Sequence, residues 1–197
     1  MALISPLSRK ELPEQEELFK LIEAVMGFVP NSMLTMAHRP EILQSFAVMA
    51  GAINAPGTIG NDLKRLIAEV SSKAAGCQYC VAHTAHQAER SGVPAEKLAA
   101  VWSFETSDIF SDAEKAALTL ALKSSQVPSL ADEADMDALR QHFTDGEIVE
   151  IVGVIALFGF LNRWNAAMAT TLEDDPRAHA EDTLGEIGWK AGIHSDS

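Results

Sequence analysis

Apolar residues recur along this chain at steps of three and four, with no bounded stretch of strict alternation, so the pattern predicts helices and no sheet. Over residues 14–26, Pro13 stands at the helix start and acids fill the first turn. Leu18, Leu21, Ile22 and Val25 share one apolar face before Gly27 stops the helix. Pro30 forces a turn, a short segment follows at 33–36, and Pro40 starts a helix that runs to Ile53 and closes in Asn54-Ala55-Pro56-Gly57. A helix from Asn61 reaches Ala75, and another covers residues 77–90; the pattern leaves open whether Gly76 breaks one long helix or bends it. Residues 94–102 read as a short helix. Ser111 with Glu114, and Thr144 with Glu147, each match the capping box that satisfies free amides at a helix start. The second box opens a helix expected to reach residue 172, whose run IVGVIALFGFL is apolar on all sides and is therefore expected to be covered all round. Beyond Pro176 the composition turns polar and Gly-rich, which predicts an extended tail that Trp189 anchors on a neighbouring surface. The expectation is an all-α chain with one helical domain over residues 1–175 and a tail over 176–197.

At 197 residues, 47% hydrophobic and 22% charged, the chain can bury a core without disulfide staples and does not have a disordered composition. Its net charge of -13 repels phosphate backbones and anionic membranes, so nucleic acid and membrane partners are not expected. The longest apolar run, residues 151–161, falls short of the roughly 20 residues a membrane span needs, and the N-terminal stretch has neither the basic start nor the apolar core of a secretory signal. Two cysteines three residues apart cannot frame a secreted scaffold. They favour a reducing cytoplasm and thiols used for chemistry.

That chemistry concentrates in one stretch, Glu69 to His86, where Cys77, Cys80, His83 and His86 lie within ten residues. Cys77 and Cys80 at a helix start have disulfide-compatible spacing, and the helix dipole with its free amides favours a thiolate there. The four residues also follow a zinc-like spacing. On a helix, however, steps of three drift by about 60° each, so two could bind an ion and four could not converge on it. No metal and no cofactor is expected. His83 lies one turn beyond Cys80, close enough to take its proton, whereas His86 reads as a packing or surface residue. If the helix continued through Gly76, Glu69 would share the face of Cys80; otherwise it pairs with Lys73 on the surface. Asn162, Arg163, Trp164 and Asn165 interrupt the most apolar helix, and they either line a pocket or solvate its end. Phosphate loops and serine nucleophile elbows are absent from the sequence.

The segments VPNSMLTMAHRPEIL, LKRLIAEVSSKAAGCQYCVAHTAH, SGVP, FSDAEKAALTLA and FLNRWNAAMATTLE together resemble the carboxymuconolactone decarboxylase / alkylhydroperoxidase D-like superfamily, in particular its peroxidase-related branch, over roughly residues 29–175. The resemblance implies a compact helical bundle that forms homo-oligomers. It also implies a thiol peroxidase that reduces a small hydroperoxide and is recharged by a dithiol reductant. By that likeness Cys77 and Cys80 are the redox pair, His83 the imidazole and Glu69 the carboxylate. Two positions depart from the family pattern: Thr84 stands where members place the histidine, and Arg65 where they place the acid. A lactone decarboxylase and a redox-sensitive interaction module are the alternatives. For the attacking sulfur two effects compete, since Cys77 has the helix dipole, about 0.3–1 kcal/mol, and Cys80 has the base, about 10²–10⁴-fold in rate. The expectation is attack by Cys80, assisted by His83 with Glu69 orienting the ring, and resolution by Cys77.

Overall fold

In the computed structural model, which describes residues 2–195, several helices begin at a side-chain cap or at a proline. Ten α-helices and no strand occur among the described residues: α1 Glu16–Met26, α2 Asn31–Met36, α3 Pro40–Asn54, α4 Asn61–Ala74, α5 Gln78–Arg90, α6 Ala95–Ala100, α7 Asp112–Ser124, α8 Glu133–Arg140, α9 Asp145–Met168 and α10 Asp174–Leu184. Both expected capping boxes form, Ser111 with Glu114 and Thr144 with Glu147, and Asp132 with Asp135 makes a further one at α8. No helix among these residues is long and apolar enough to cross a membrane.

The pivot is α4, which packs against α5, α7 and α9 and buries Leu63, Leu66, Ile67 and Val70 in the main core with Leu118, Ile151 and Val154. A second cluster joins α1, α2 and α3 to α9 through Phe19, Met36, Leu43, Phe46 and Leu157. The structure departs from the sequence pattern at three places. In α1 the fully buried residue is Phe19, while Leu21 and Val25 are each 68% exposed, because they line an open cavity instead of the core. In α9, Ile148, Ile151, Val154, Ile155 and Leu157 are buried, but Val149, Val152 and Phe160 are exposed; neighbours cover one side of it. Residues beyond Glu173 are not extended: α10 packs on α5, burying Pro176, Ala180 and Leu184. Trp189 does anchor the segment after α10, its Nε1 donating to the Gln78 carbonyl at 3.3 Å.

The turn between α3 and α4 is pinned from beneath. Lys64, nearly inaccessible, donates to the carbonyls of Ile53 and Ala55 at 3.0 and 2.9 Å and pairs with Glu150 on α9 at 3.1 Å. Glu150 accepts from the Thr58 hydroxyl and amide, and with these bonds and Lys64 its carboxyl is held down to about 2. Gly57 packs so closely that a Cβ there would stand 2.1 Å from the Glu150 carboxylate.

Candidate active site

Gly76 ends α4 by adopting φ +72°, a conformation that favours glycine, so α4 and α5 are separate helices. The break makes Cys77 the N-cap of α5, and the Cys80 amide donates to its sulfur at 3.4 Å. Both thiols are free and buried. Hydrogen bonding from the Cys80 thiol, opposed by burial and helped by His194 and the Cys80 amide, brings Cys77 down to about 5. Burial and the neighbouring Cys77 charge push Cys80 well above the usual thiol range, and the amide of Asn165, 3.4 Å away, opposes them only in part. One proton is therefore held between two sulfurs, with the resting charge on Cys77. The groups gathered around Cys77 thus favour the resting charge on the sulfur that stands at the helix start.

Only Cys80 of the two faces a cavity of about 500 Å³ enclosed by α1, α3, α4, α5 and α9. Its walls are mainly aliphatic and aromatic, including Leu18, Ile22, Phe46 and Phe158, with His83, Thr84, Asn165 and Arg65 as polar members. Such a volume, mostly apolar with few convergent polar groups, suits a small organic ligand.

His83 is held by Glu173, not by Glu69. Its Nε2 lies 2.6 Å from the Glu173 carboxylate, and its ring stacks on Tyr79 with centroids 4.3 Å apart. Glu173 also accepts from the Tyr79 hydroxyl at 2.8 Å and from the Asn31 amide. Burial opposes its charge, but the His83 ring, the Asn31 amide and the Tyr79 hydroxyl outweigh burial and keep it below the usual carboxylate range. Glu69 is corrected as a partner of His83. It lies on α4 behind the break at Gly76, with Oε2 unpartnered, and burial lifts it to about 8 against a weaker pull from Lys73, so it is protonated at neutral pH. The expected surface pairing of Glu69 fails as well, since it is 2% exposed.

Other polar residues divide cleanly. Asn165 belongs to the thiol site, Asn162 donates to the Ser71 carbonyl at 3.4 Å, and Arg163 is exposed. His86 packs beside Phe28 and His179. Thr84 bonds back to the Cys80 carbonyl within α5. His194, far down the chain, is buried; its Nδ1 donates to the Thr170 carbonyl at 2.8 Å and its other ring nitrogen is left for Cys77. Glu173 and His194 carry no spacing signal, because their partners lie dozens of residues away, whereas Tyr79 stands one turn before His83 on α5. The acid cluster before Pro176 is the one available hint for Glu173, as a helix start. Among the described residues no group of three His, Cys, Asp or Glu side chains is placed to share a metal ion.

Residues 40–123 match the carboxymuconolactone decarboxylase family. The chain is similar to the debrominase Bmp8, solved in complex with 2,3,4-tribromopyrrole, at 39% identity over 92% of this chain and 97% of that one, with a TM-score of 0.87. It is also similar to an alkylhydroperoxidase AhpD core, an uncharacterized peroxidase-related protein from Ralstonia eutropha JMP134, at 27% identity over 88% and 94% of the two chains, with a TM-score of 0.71. The uncharacterized protein YnjA of Escherichia coli K12 is 37% identical over 93 residues, 47% of this chain; the match spans half of that relative.

Proposed function

The chain belongs to the carboxymuconolactone decarboxylase / alkylhydroperoxidase D-like superfamily, and from that premise we propose that it is a dithiol-dependent reductase of an apolar organic substrate, removing a halogen from an aromatic ring. The observation that carries this reading is the position of Cys80 on the wall of an apolar cavity, with the Cys77 sulfur 3.4 Å from its backbone amide. The likeness to the debrominase supplies the reaction class.

In the first step Cys77 takes the proton of Cys80, and the Cys80 thiolate attacks bromine on the ring. An S–Br bond forms, the C–Br bond breaks, and the ring carbon keeps the electron pair and takes a proton from His83, which Glu173 orients. Cys77 gives its proton to His194 and displaces bromide from Cys80, forming the disulfide. Two electrons pass from the dithiol to the ring, and an external dithiol reductant restores the pair. Cys77 thereby remains the resolving residue. A second reading, hydroperoxide reduction, uses the same sulfurs: Cys80 takes the distal oxygen as a sulfenic acid, alcohol leaves, and Cys77 displaces water. It is favoured by the likeness to the AhpD core.

The reading includes a reducing cytoplasm and a homo-oligomer, the latter since Val48 and Val149 are each at least 70% exposed. Light scattering at micromolar concentration is expected to exceed the monomer mass. For the reaction, reduced protein is mixed with brominated pyrroles and phenols and, separately, with cumene hydroperoxide. One bromide and one debrominated ring per disulfide are expected, abolished by Cys80→Ser. One cumyl alcohol per disulfide, without bromide release, would transfer the conclusion to the second reading. A pair left reduced by every substrate would sink both.

A further inference from the structure

Positions 64 and 65 of α4 are both cations drawn away from water, and the protein treats them oppositely. Lys64 has every donor direction answered, by the carbonyls of Ile53 and Ala55 and by Glu150. Arg65 is answered by nothing: no carboxylate or carbonyl among the described residues pairs with it, and its Nε is shielded from solvent without a hydrogen-bond partner. Burial alone accounts for the weakening of its hold on its proton, with no opposing anion. The carboxyl one turn on, Glu69, is protonated at neutral pH and offers no charge. A guanidinium carries five donors in a rigid fork, and here the shielded Nε is left unanswered, which is costly.

The cavity explains the arrangement. Arg65 is one of its lining residues, and no Asp, Glu or Lys is. In a chain of net charge -13, the one side chain of fixed charge facing this space is a cation. Its surroundings are apolar, with Leu18, Ile22, Phe46, Phe158 and Leu161 among the walls. A neutral hydrocarbon would leave the fork unsatisfied, and inorganic anions would leave the walls wet. A molecule that satisfies both parts has an apolar ring and one anionic oxygen.

We infer that the cavity is a binding site for an organic anion, an aromatic ring bearing a carboxylate or phenolate that Arg65 receives while the ring lies against the apolar walls toward Cys80. The inference rests on the reductase reading only for the chemistry after binding; it specifies the substrate class as an acidic halogenated aromatic. Arg65 is thereby a binding residue that sets charge preference, separate from the residues that move protons and electrons.

The test compares 3,5-dibromobenzoate with 3,5-dibromobenzamide, its neutral near-isostere, by calorimetry in a Cys80→Ser background where no turnover occurs. A charge-assisted contact predicts binding of the benzoate about tenfold or more tighter. Arg65→Met should bring the two ligands to within about twofold, chiefly by weakening the benzoate, and Arg65→Lys should retain part of the preference. Equal affinities with Arg65 present, no binding of either ligand, or a preference that survives Arg65→Met would overturn the inference. Bromide release and disulfide formation are scored in parallel with the cysteine intact. Preference without bromide release would sink the reductase reading alone, and bromide release without preference would sink this one alone.

Discussion

Cys77 owes its charge to two residues whose side chains can be removed one at a time, Cys80 and His194. The Cys80 thiol is the largest contributor, and His194 and the Cys80 amide come after it. Alkylation of Cys77 by iodoacetamide, followed by mass spectrometry across a pH series, is expected to have its midpoint near the low value the site imposes, about 5. Cys80→Ala should move that midpoint upward most and His194→Gln by less, whereas His86→Ala, remote from the sulfurs, should not move it. Glu69 yields a second residue-level prediction. Its carboxyl binds a proton in the folded chain up to about pH 8, while the unfolded chain releases it near 4.5. The native state therefore holds the extra proton between those limits, and stability falls as pH rises through that window, by at most ~1.4 kcal/mol per pH unit and a few kcal/mol in all. Glu69→Gln should flatten the slope in urea unfolding between pH 5 and 8; a slope unchanged by the substitution would refute the assignment. The cysteines and His83 are legible in the sequence because one helix turn relates them. Glu173 and His194 are not, because nothing local in the sequence encodes a contact across ninety or more residues.

Among the elements, legibility depends on locality in the same way. Ser111 with Glu114 and Thr144 with Glu147 announce α7 and α9, since each box is closed by bonds within four residues. The Asp132 box at α8 escapes the pattern because its third residue is Asp, not Glu or Gln. The stripe of Leu21 and Val25 predicts burial that does not occur, because an apolar stripe states what a face avoids and not what covers it; here it borders a cavity. The acidic sequence of α10 hides a helix whose buried face is only three residues, Pro176, Ala180 and Leu184, one of them a proline that reads as a break. One element-level device is the turn joining α3 to α4, which holds Asn54 and Ala55 at the cavity wall. Gly57→Ala would drive a methyl group into the Glu150 carboxylate, detach it from Thr58 and leave Lys64 with carbonyls alone. The expected loss is about 1–3 kcal/mol in chemical unfolding, from broken charge-assisted bonds. Gly51→Ala, in α3 with open space around the new methyl, should be neutral or stabilising by up to about 1 kcal/mol. Equal effects at the two positions would mean that Glu150 does not pin the turn.

For the whole molecule, the sign of the surface and the sign of the cavity are opposed. The chain carries a net charge of -13, while the fixed charge lining the cavity is the cation Arg65. An organic anion approaching from solvent meets repulsion first, over a Debye length of about 10 Å at 0.1 M salt and about 30 Å at 0.01 M. Attraction begins only inside, where neighbouring atoms exclude salt and screening is weaker. Salt should therefore act on the two rate constants unequally. Raising ionic strength from about 0.01 to 0.15 M is expected to speed association of 3,5-dibromobenzoate, because the outer field is screened, and to change its dissociation little. The amide, carrying no charge, should associate at the same rate throughout. Stopped-flow measurement of both ligands over that range separates the surface from the site. An association rate for the benzoate that falls with salt would show that the cation's field reaches beyond the cavity and dominates the approach, contrary to this balance of charges.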